Sequence, residues 1–387
     1  MRNVNAALIG YGTRLPEIVR HLKNASGAIH YIGVFDPDPE RARLAIADSA
    51  TGGRLYGSIE EVASDPDVDW VLIASPNHLH AAQSIAALTA GKHVFCEKPA
   101  ATTLDELRAI QDALRSSGRH FVIGLTLRHS EHYQTIRSWI TQGRIGKLVS
   151  MEFNETLDFN HGGHIHSHPW RRRSELGGSH LLEKCCHDLD LAIWMADSLP
   201  RFVASFGGTD IFIPENAEMM TTIDAHPDGR QPWVCWPTVG ERVNPFTGDA
   251  NIVDNQVGII EFANGVRATF HTNCVAGFPE RRMLLLGTEG AIRADVISGL
   301  LEFRRIGFDA ETERVELDAI GSHGGGDPML ARDLARTMLD GTEPAASIRE
   351  ALGSTVTALA MNEAMATRSV IDCAPYWASL GMPSAPH

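Results

Sequence analysis

The chain is predicted to be α/β at its N-terminal end and α+β beyond it: a doubly wound parallel sheet, then a larger domain on an open, mostly antiparallel sheet. Three observations carry this. Up to about residue 125, short and nearly continuous apolar runs alternate with segments of helical period, as in strands buried on both faces. Beyond Gly124 the runs lengthen, and Phe262-Ala263-Asn264-Gly265-Val266 sets Asn-Gly between two of them, a strong hairpin signal. A length of 387 residues also exceeds one ordinary core. The predicted domains are residues 1–126 and 127–387.

The elements follow in order. Strands are expected at Asn5–Ile9, Ile29–Phe35, Trp70–Ala74, His93–Cys96 and Phe121–Gly124, with helices at Glu17–Asn24, Pro39–Ala47, His80–Ala90 and Leu104–Ser116 between them. Right-handed crossovers make such a series a doubly wound sheet. A helix at Ser130–Gln142, closed by Gly143, opens the second domain. Strands at Leu148–Asn154, Val203–Thr209, Val257–Phe262, Val266–Thr272 and Arg281–Leu286 follow, and helices at Pro328–Leu339 and Ser347–Thr367 close the chain. Pro214–Gly248, rich in Pro, Gly and polar residues, reads as a long surface excursion.

Composition excludes several classes. With 34 basic against 48 acidic residues the formal charge is −14, which disfavours nucleic acid and anionic membranes as partners. No apolar run reaches the ~18–20 residues that span a bilayer, and Met1 to Asn5 carry no signal-peptide core. The six cysteines show neither disulfide-scaffold spacing nor zinc-type CxxC pairs. A soluble protein in a reducing, cytoplasmic setting is expected.

The chemistry concentrates where predicted strands end. The first runs into Gly10-Tyr11-Gly12-Thr13-Arg14-Leu15, which holds two glycines of G-x-G-x-x-G and replaces the third with Leu15. Such a turn brings backbone N–H groups and a helix N-terminus to a pyrophosphate. The second strand ends at Asp36, near the ~20-residue spacing of an acid that grips a ribose diol and repels a 2′-phosphate. NAD is therefore favoured over NADP, although Arg41 and Arg43 lie close by. Asp36 could instead cap the turn Asp36-Pro37-Asp38-Pro39. The third strand ends in Ser75-Pro76-Asn77-His78-Leu79-His80, where Asn77 and His78 could meet the cofactor or Asn77 could cap the next helix. The fourth ends in Cys96-Glu97-Lys98-Pro99.

In order and spacing these motifs resemble the Gfo/Idh/MocA oxidoreductases, the family of glucose–fructose oxidoreductase and inositol 2-dehydrogenase. The resemblance spans nearly the whole chain. It takes in Gly143-Arg144-Ile145-Gly146-Lys147, Trp170-Arg171, Gly177-Gly178, His187 with Asp190, Gly287-Thr288-Glu289-Gly290 and Gly325-Gly326-Asp327. It implies a Rossmann domain that binds NAD through Gly10, Gly12, Thr13, Arg14, Leu15, Asp36, Ser75, Pro76, Asn77, His80, Glu97 and Lys98. It also implies that Lys98 contacts the reacting hydroxyl, where an ammonium stabilises a developing oxyanion. Pro99 after it could make a cis bond. A lysine at a strand end could otherwise simply face water.

By the same resemblance His187 is the general acid or base, and its imidazole titrates in the range such work needs. Glu183 stands where the family commonly has aspartate; four residues apart on one helix, Glu183 and His187 share a face. Asp190 could orient the His187 ring. Trp170 and Arg171 are expected to line the substrate pocket, and the Arg171-Arg172-Arg173 run could favour a carboxylated sugar. No metal is expected: hydride transfer needs none, and adjacent Cys185-Cys186 read as buried small hydrophobes. The implied activity is hydride transfer from a secondary hydroxyl of a sugar, sugar acid or cyclitol, in a homodimer or homotetramer joined through the C-terminal sheet. Two rivals remain: a redox-neutral NAD-dependent epimerase or glycoside-cleaving enzyme, and a non-catalytic nucleotide-dependent sensor.

Overall fold

A computed structural model describes residues 3–49, 53–238, 240–317 and 323–382. The chain opens with β1 (Val4–Ile9), α1 (Arg14–Ala25), β2 (Ile29–Phe35), α2 (Pro39–Ser49), β3 (Arg54–Leu55) and α3 (Ile59–Ser64). It continues through β4 (Trp70–Ile73), α4 (Asn77–Thr89), β5 (His93–Cys96), α5 (Leu104–Ser117) and β6 (Phe121–Ile123). These strands form one parallel sheet in the order β3-β2-β1-β4-β5-β6. Strands β4 and β6 are buried along their whole length, which is why they read as unbroken apolar runs. Local chemistry sets the helix ends. Thr103 and Glu106 form a reciprocal capping box on α5, and Gly118 ends it in the left-handed region.

The second series is α6 (Glu131–Thr141), β7 (Leu148–Thr156), α7 (Phe159–Ser167), α8 (Ser174–Gly177), α9 (His180–Glu183), α10 (Cys186–Ala196), β8 (Pro200–Gly208) and α11 (Met219–Thr222). Then come β9 (Asn255–Phe262), β10 (Arg267–Asn273), β11 (Arg282–Gly287), β12 (Gly290–Asp295), β13 (Leu300–Arg305) and β14 (Thr312–Arg314). The chain closes with α12 (Gly326–Asp340), α13 (Ile348–Thr367), β15 (Ile371–Asp372) and α14 (Ala374–Ser379). The second sheet has nine strands in the order β14-β13-β12-β11-β7-β10-β9-β8-β15, antiparallel except for β7 with β10. The expected hairpin is present: β9 and β10 flank Asn264-Gly265, with Gly265 at φ 84°. Along β9 and β10 buried and exposed positions alternate, so one face of this sheet meets the interior and the other is open.

Two compact units result, residues 1–130 with 325–355, and 131–324 with 356–387. This differs from a single cut after residue 126. The reason is the apolar face of α12: Leu330, Ala331, Leu334, Ala335 and Met338 are buried in one core with Leu8, Leu15, Leu22 and Tyr31 of the parallel-sheet unit. A sequence cut follows chain order, whereas the helix goes where its apolar face is covered. The excursion also differs from expectation. Trp233 and Phe246 are buried with Leu157, Ile165, Phe212, Ile252 and Cys274 in a small separate core. Gly162 and Gly163 on α7 make room for it, since a Cβ on Gly163 would stand 2.8 Å from the Trp233 side chain. No described helix is long and apolar enough to cross a membrane.

Leu334→Ala leaves a cavity in the first core and is expected to cost about 2–5 kcal/mol. Urea unfolding followed by a probe in residues 1–130 checks this; a change within ~0.5 kcal/mol, as at surface sites, would show that α12 does not belong to that core.

Candidate active site

The nucleotide cradle is built at the carboxyl ends of β1 and β2. Gly10 has φ 77°, and a Cβ there would lie 2.8 Å from the Ser75 backbone nitrogen, so both conformation and space require glycine. At Gly12 the nearest atom to a Cβ is the Arg41 guanidinium at 3.4 Å, the end of a long side chain rather than backbone. Thr13 precedes the first turn of α1 but makes no side-chain cap, which leaves the helix N–H groups for an anion. Asp36 accepts from Tyr11 N–H at 2.7 Å and from Asp38 N–H at 2.9 Å. It therefore caps its turn and braces the glycine loop together, while carboxylate lone pairs remain for ribose hydroxyls. These residues fit a dinucleotide.

Other expected cofactor residues are occupied by the protein. The Leu15 side chain is fully buried in the core, so only its backbone can serve the cradle. Pro76 holds the cap position of α4 and Asn77 is its first helical residue, not the cap. The Ser75 hydroxyl donates to Gln83 at 2.6 Å. The buried His80 ring bridges the carbonyls of Pro99 (2.7 Å) and Ser75 (2.8 Å). Burial pushes its pKa down, against the pull of those two carbonyls. Arg14 reaches Glu97 (2.8 Å), Glu17 (2.8 Å), Asp327 (2.5 Å) and Thr126 (2.9 Å). Its desolvation works against the charge, and Glu97, Asp327 and Glu17 outweigh it, so its pKa is raised. Glu97 in turn accepts from Lys98 N–H at 3.2 Å. Lys98, followed by a cis bond to Pro99, thus sits on a turn held from both sides, by Arg14 through Glu97 and by His80 through Pro99.

In the other unit the helix expected to carry both Glu183 and His187 is broken. Lys184, at φ −114°, ends α9 after Glu183, and α10 begins at Cys186, so the two residues do not share one helical face. Sequence spacing alone misplaces them because a buried ion network claims Lys184 between them and Asp188 just after. Lys184 pairs with Glu155 at 3.0 Å, and Arg281 donates from Nε and a terminal nitrogen to Asp188 at 2.8 and 2.7 Å. Glu155 Oε2 lies 2.7 Å from Arg281 Nε. Burial, opposed by Arg281, raises the Asp188 carboxyl to about 6. None of Glu155, Lys184, Asp188 and Arg281 carried a motif; only the fold brings β7, α10 and the start of β11 to one point.

Glu183 is buried and ion-paired with Arg171, whose guanidinium lies 4.3 Å from the centre of the Trp170 ring. Of the expected site residues, Trp170, Arg171 and Glu183 are therefore together. The His187 ring is 5.7 Å from that of His323. The neighbouring arginines are committed elsewhere: Arg172 and Arg173 pair with Asp249 at 2.5 and 2.6 Å. Only Arg171 of that run lies with the proposed substrate residues, so the run as a whole does not form a carboxylate clamp.

The histidines of α7 are structural in part. His166 is fully buried, stacks on Phe212 at 4.2 Å and has Nδ1 3.0 Å from the Gly162 carbonyl. Burial holds its pKa down to about 4, against that carbonyl and Asp254. An unfolded histidine protonates near ~6.5. Its stabilising contribution is thus complete above about pH 6.5 and lost as the pH falls to about 4. His166→Phe keeps the stack and is expected to remove up to about 3 kcal/mol of that loss. Urea unfolding at neutral and acidic pH measures it; an acid slope equal to that of the wild type would count against the assignment.

Comparison with known proteins gives the family and the fold. An oxidoreductase family with an NAD-binding Rossmann fold matches residues 4–125, and the GFO/IDH/MocA C-terminal domain matches residues 133–293. A 1,5-anhydro-D-fructose reductase from Ensifer adhaerens is 30% identical over 286 residues, 74% of this chain and 74% of that protein. An inositol 2-dehydrogenase from Salmonella paratyphi B is 25% identical over 223 residues, 57% of this chain and 61% of that protein. A levoglucosan dehydrogenase solved with NADH and levoglucosan superposes with a TM-score of 0.80 at 21% identity, over 96% of this chain and 100% of that one, a likeness of fold. With a strand–glycine turn–helix cradle and both family segments in order, the chain belongs to the GFO/IDH/MocA family as an NAD-dependent oxidoreductase.

Proposed function

We propose that the enzyme oxidises a secondary hydroxyl of a sugar, sugar acid or cyclitol. The observation that carries this is Lys98, fixed at the carboxyl end of β5 by the Arg14–Glu97 pair and by His80 on Pro99. The names of the relatives, an anhydrofructose reductase and an inositol dehydrogenase, support a carbohydrate or cyclitol. When bound, NAD supplies the hydride acceptor. Gly10, Gly12 and the first turn of α1 hold its pyrophosphate, and Asp36 its ribose. The Lys98 ammonium stabilises the oxyanion that develops on the reacting oxygen, and His187 takes the hydroxyl proton. Glu183, neutralised by Arg171, positions rather than deprotonates. Trp170 offers an aromatic face to sugar C–H groups. The six cysteines, none of them in a disulfide among the described residues, support a reducing, cytoplasmic location.

The assay is absorbance of reduced nicotinamide with a panel of inositols, aldoses, uronic acids and glycosides, each mixture also analysed for altered sugar. Lys98→Met is expected to lower kcat about 10²–10³-fold with NAD affinity unchanged. Full activity in that variant would remove Lys98 from the chemistry. An altered sugar without net NADH would replace this reading by the redox-neutral one.

We further propose assembly through the open face of the nine-stranded sheet. Phe202, Phe206, Val257 and Ile259, on the adjacent strands β8 and β9, are exposed, and the strand register puts them on one face. Contiguous apolar surface of this kind marks association, and a second copy of the chain is its occupant. Light scattering of Phe206→Asp/Ile259→Asp is expected to show a smaller oligomer than the wild type. A wild-type monomer would end the proposal.

A further inference from the structure

Expecting no metal rested on sequence spacing and on what hydride transfer needs; the fold assembles ligands that spacing does not reveal. Asp158, His161 and Cys235 bring a carboxylate oxygen, an imidazole nitrogen and a thiol sulfur within 4.8 Å of one another. We propose that they form a three-ligand site for a zinc-type divalent cation that clips the 214–248 excursion to the first turn of α7.

Each ligand is prepared by its surroundings. Asp158 caps α7 through Oδ1, which accepts from Asn160 and His161 N–H at 2.9 and 3.2 Å, leaving Oδ2 outside the cap. That cap fixes the carboxylate beside His161, one helical turn on. The His161 ring meets the Trp236 ring edge-on at 5.0 Å, and His164 stacks on Trp236 at 4.6 Å, so the residue after Cys235 is held by α7. On the other side, Trp233 N–H donates to Asn160 at 2.7 Å. Cys235 is thus fastened on both flanks, with Trp233 at φ 65° in the left-handed region.

The chemistry selects the ion. One nitrogen, one sulfur and one oxygen suit a borderline-soft cation; calcium and magnesium take oxygen. Around tetrahedral zinc, ligand atoms stand about 3.3–3.8 Å apart, given bonds of about 2.0–2.3 Å. Side-chain rotation of about 1 Å closes the present spacing. Two negative ligands balance the dication once the Cys235 thiol has lost its proton to solvent as the metal–sulfur bond forms. The cations nearest His161, Lys184 and Arg171, are already paired with Glu155 and Glu183. Three ligands leave a fourth position for water. Cys235 is the one exposed cysteine of the six; the other five are buried and do not compete for the ion.

The test uses the full-length protein, stripped with chelator and titrated with Co²⁺ and then Zn²⁺. Binding at this site gives a thiolate-to-cobalt charge-transfer band that zinc abolishes. Cys235→Ser removes the band, and His161→Ala weakens it, with NAD binding retained as a check of folding. A second measurement follows the reaction of the exposed thiol with a disulfide reagent. Zinc at ten times its Kd is expected to slow that reaction about tenfold, because only unligated protein reacts. His161→Ala should lose this protection. A cobalt spectrum without the charge-transfer band, a thiol rate indifferent to zinc, or protection unchanged in Asp158→Asn/His161→Ala would each overturn the proposal.

Discussion

The partly buried Arg14 guanidinium organises the nucleotide-binding unit. A charge withdrawn from water is tolerated when it is paired and hydrogen-bonded. Arg14 meets that demand by gathering α1, the turn after β5, the segment after β6 and the first turn of α12. The glycine cradle lies at the same helix end. One side chain therefore couples the helix that follows the glycine turn to the turn that carries Lys98. His80 completes the coupling by joining the end of β4 to Pro99.

The second unit has a counterpart in Arg281. Its guanidinium and the Lys184 ammonium face Glu155 and Asp188, two positive and two negative groups, all largely withdrawn from water. The network explains the broken helix. Lys184 must turn toward Glu155 on β7, and Asp188 toward Arg281, while Glu183 meets Arg171. Neighbouring residues thus turn to different ion partners, and the helix is interrupted between them.

Glu97, Ser75, His80, Arg172 and Arg173 are each engaged with protein partners. The excursion, anchored by Trp233 and Phe246 in its own small core, stands on α7 rather than apart from it.

The sequence by itself determined the parallel sheet, its helices, the glycine turn and the antiparallel hairpin, because these follow from periodicity and from turn chemistry within a few residues. Lys98 and its proline were found at a strand end through the resemblance to a family, and the structure puts them just after β5. The tertiary structure alone decided that α12 joins the first core, that Glu183 and His187 lie on two helices, and that Asp158 and His161 meet Cys235. In each case the partners are distant in the chain and carry no shared period. Burial and charge pairing bring them together, and those forces act on spatial neighbours, which a linear pattern does not record.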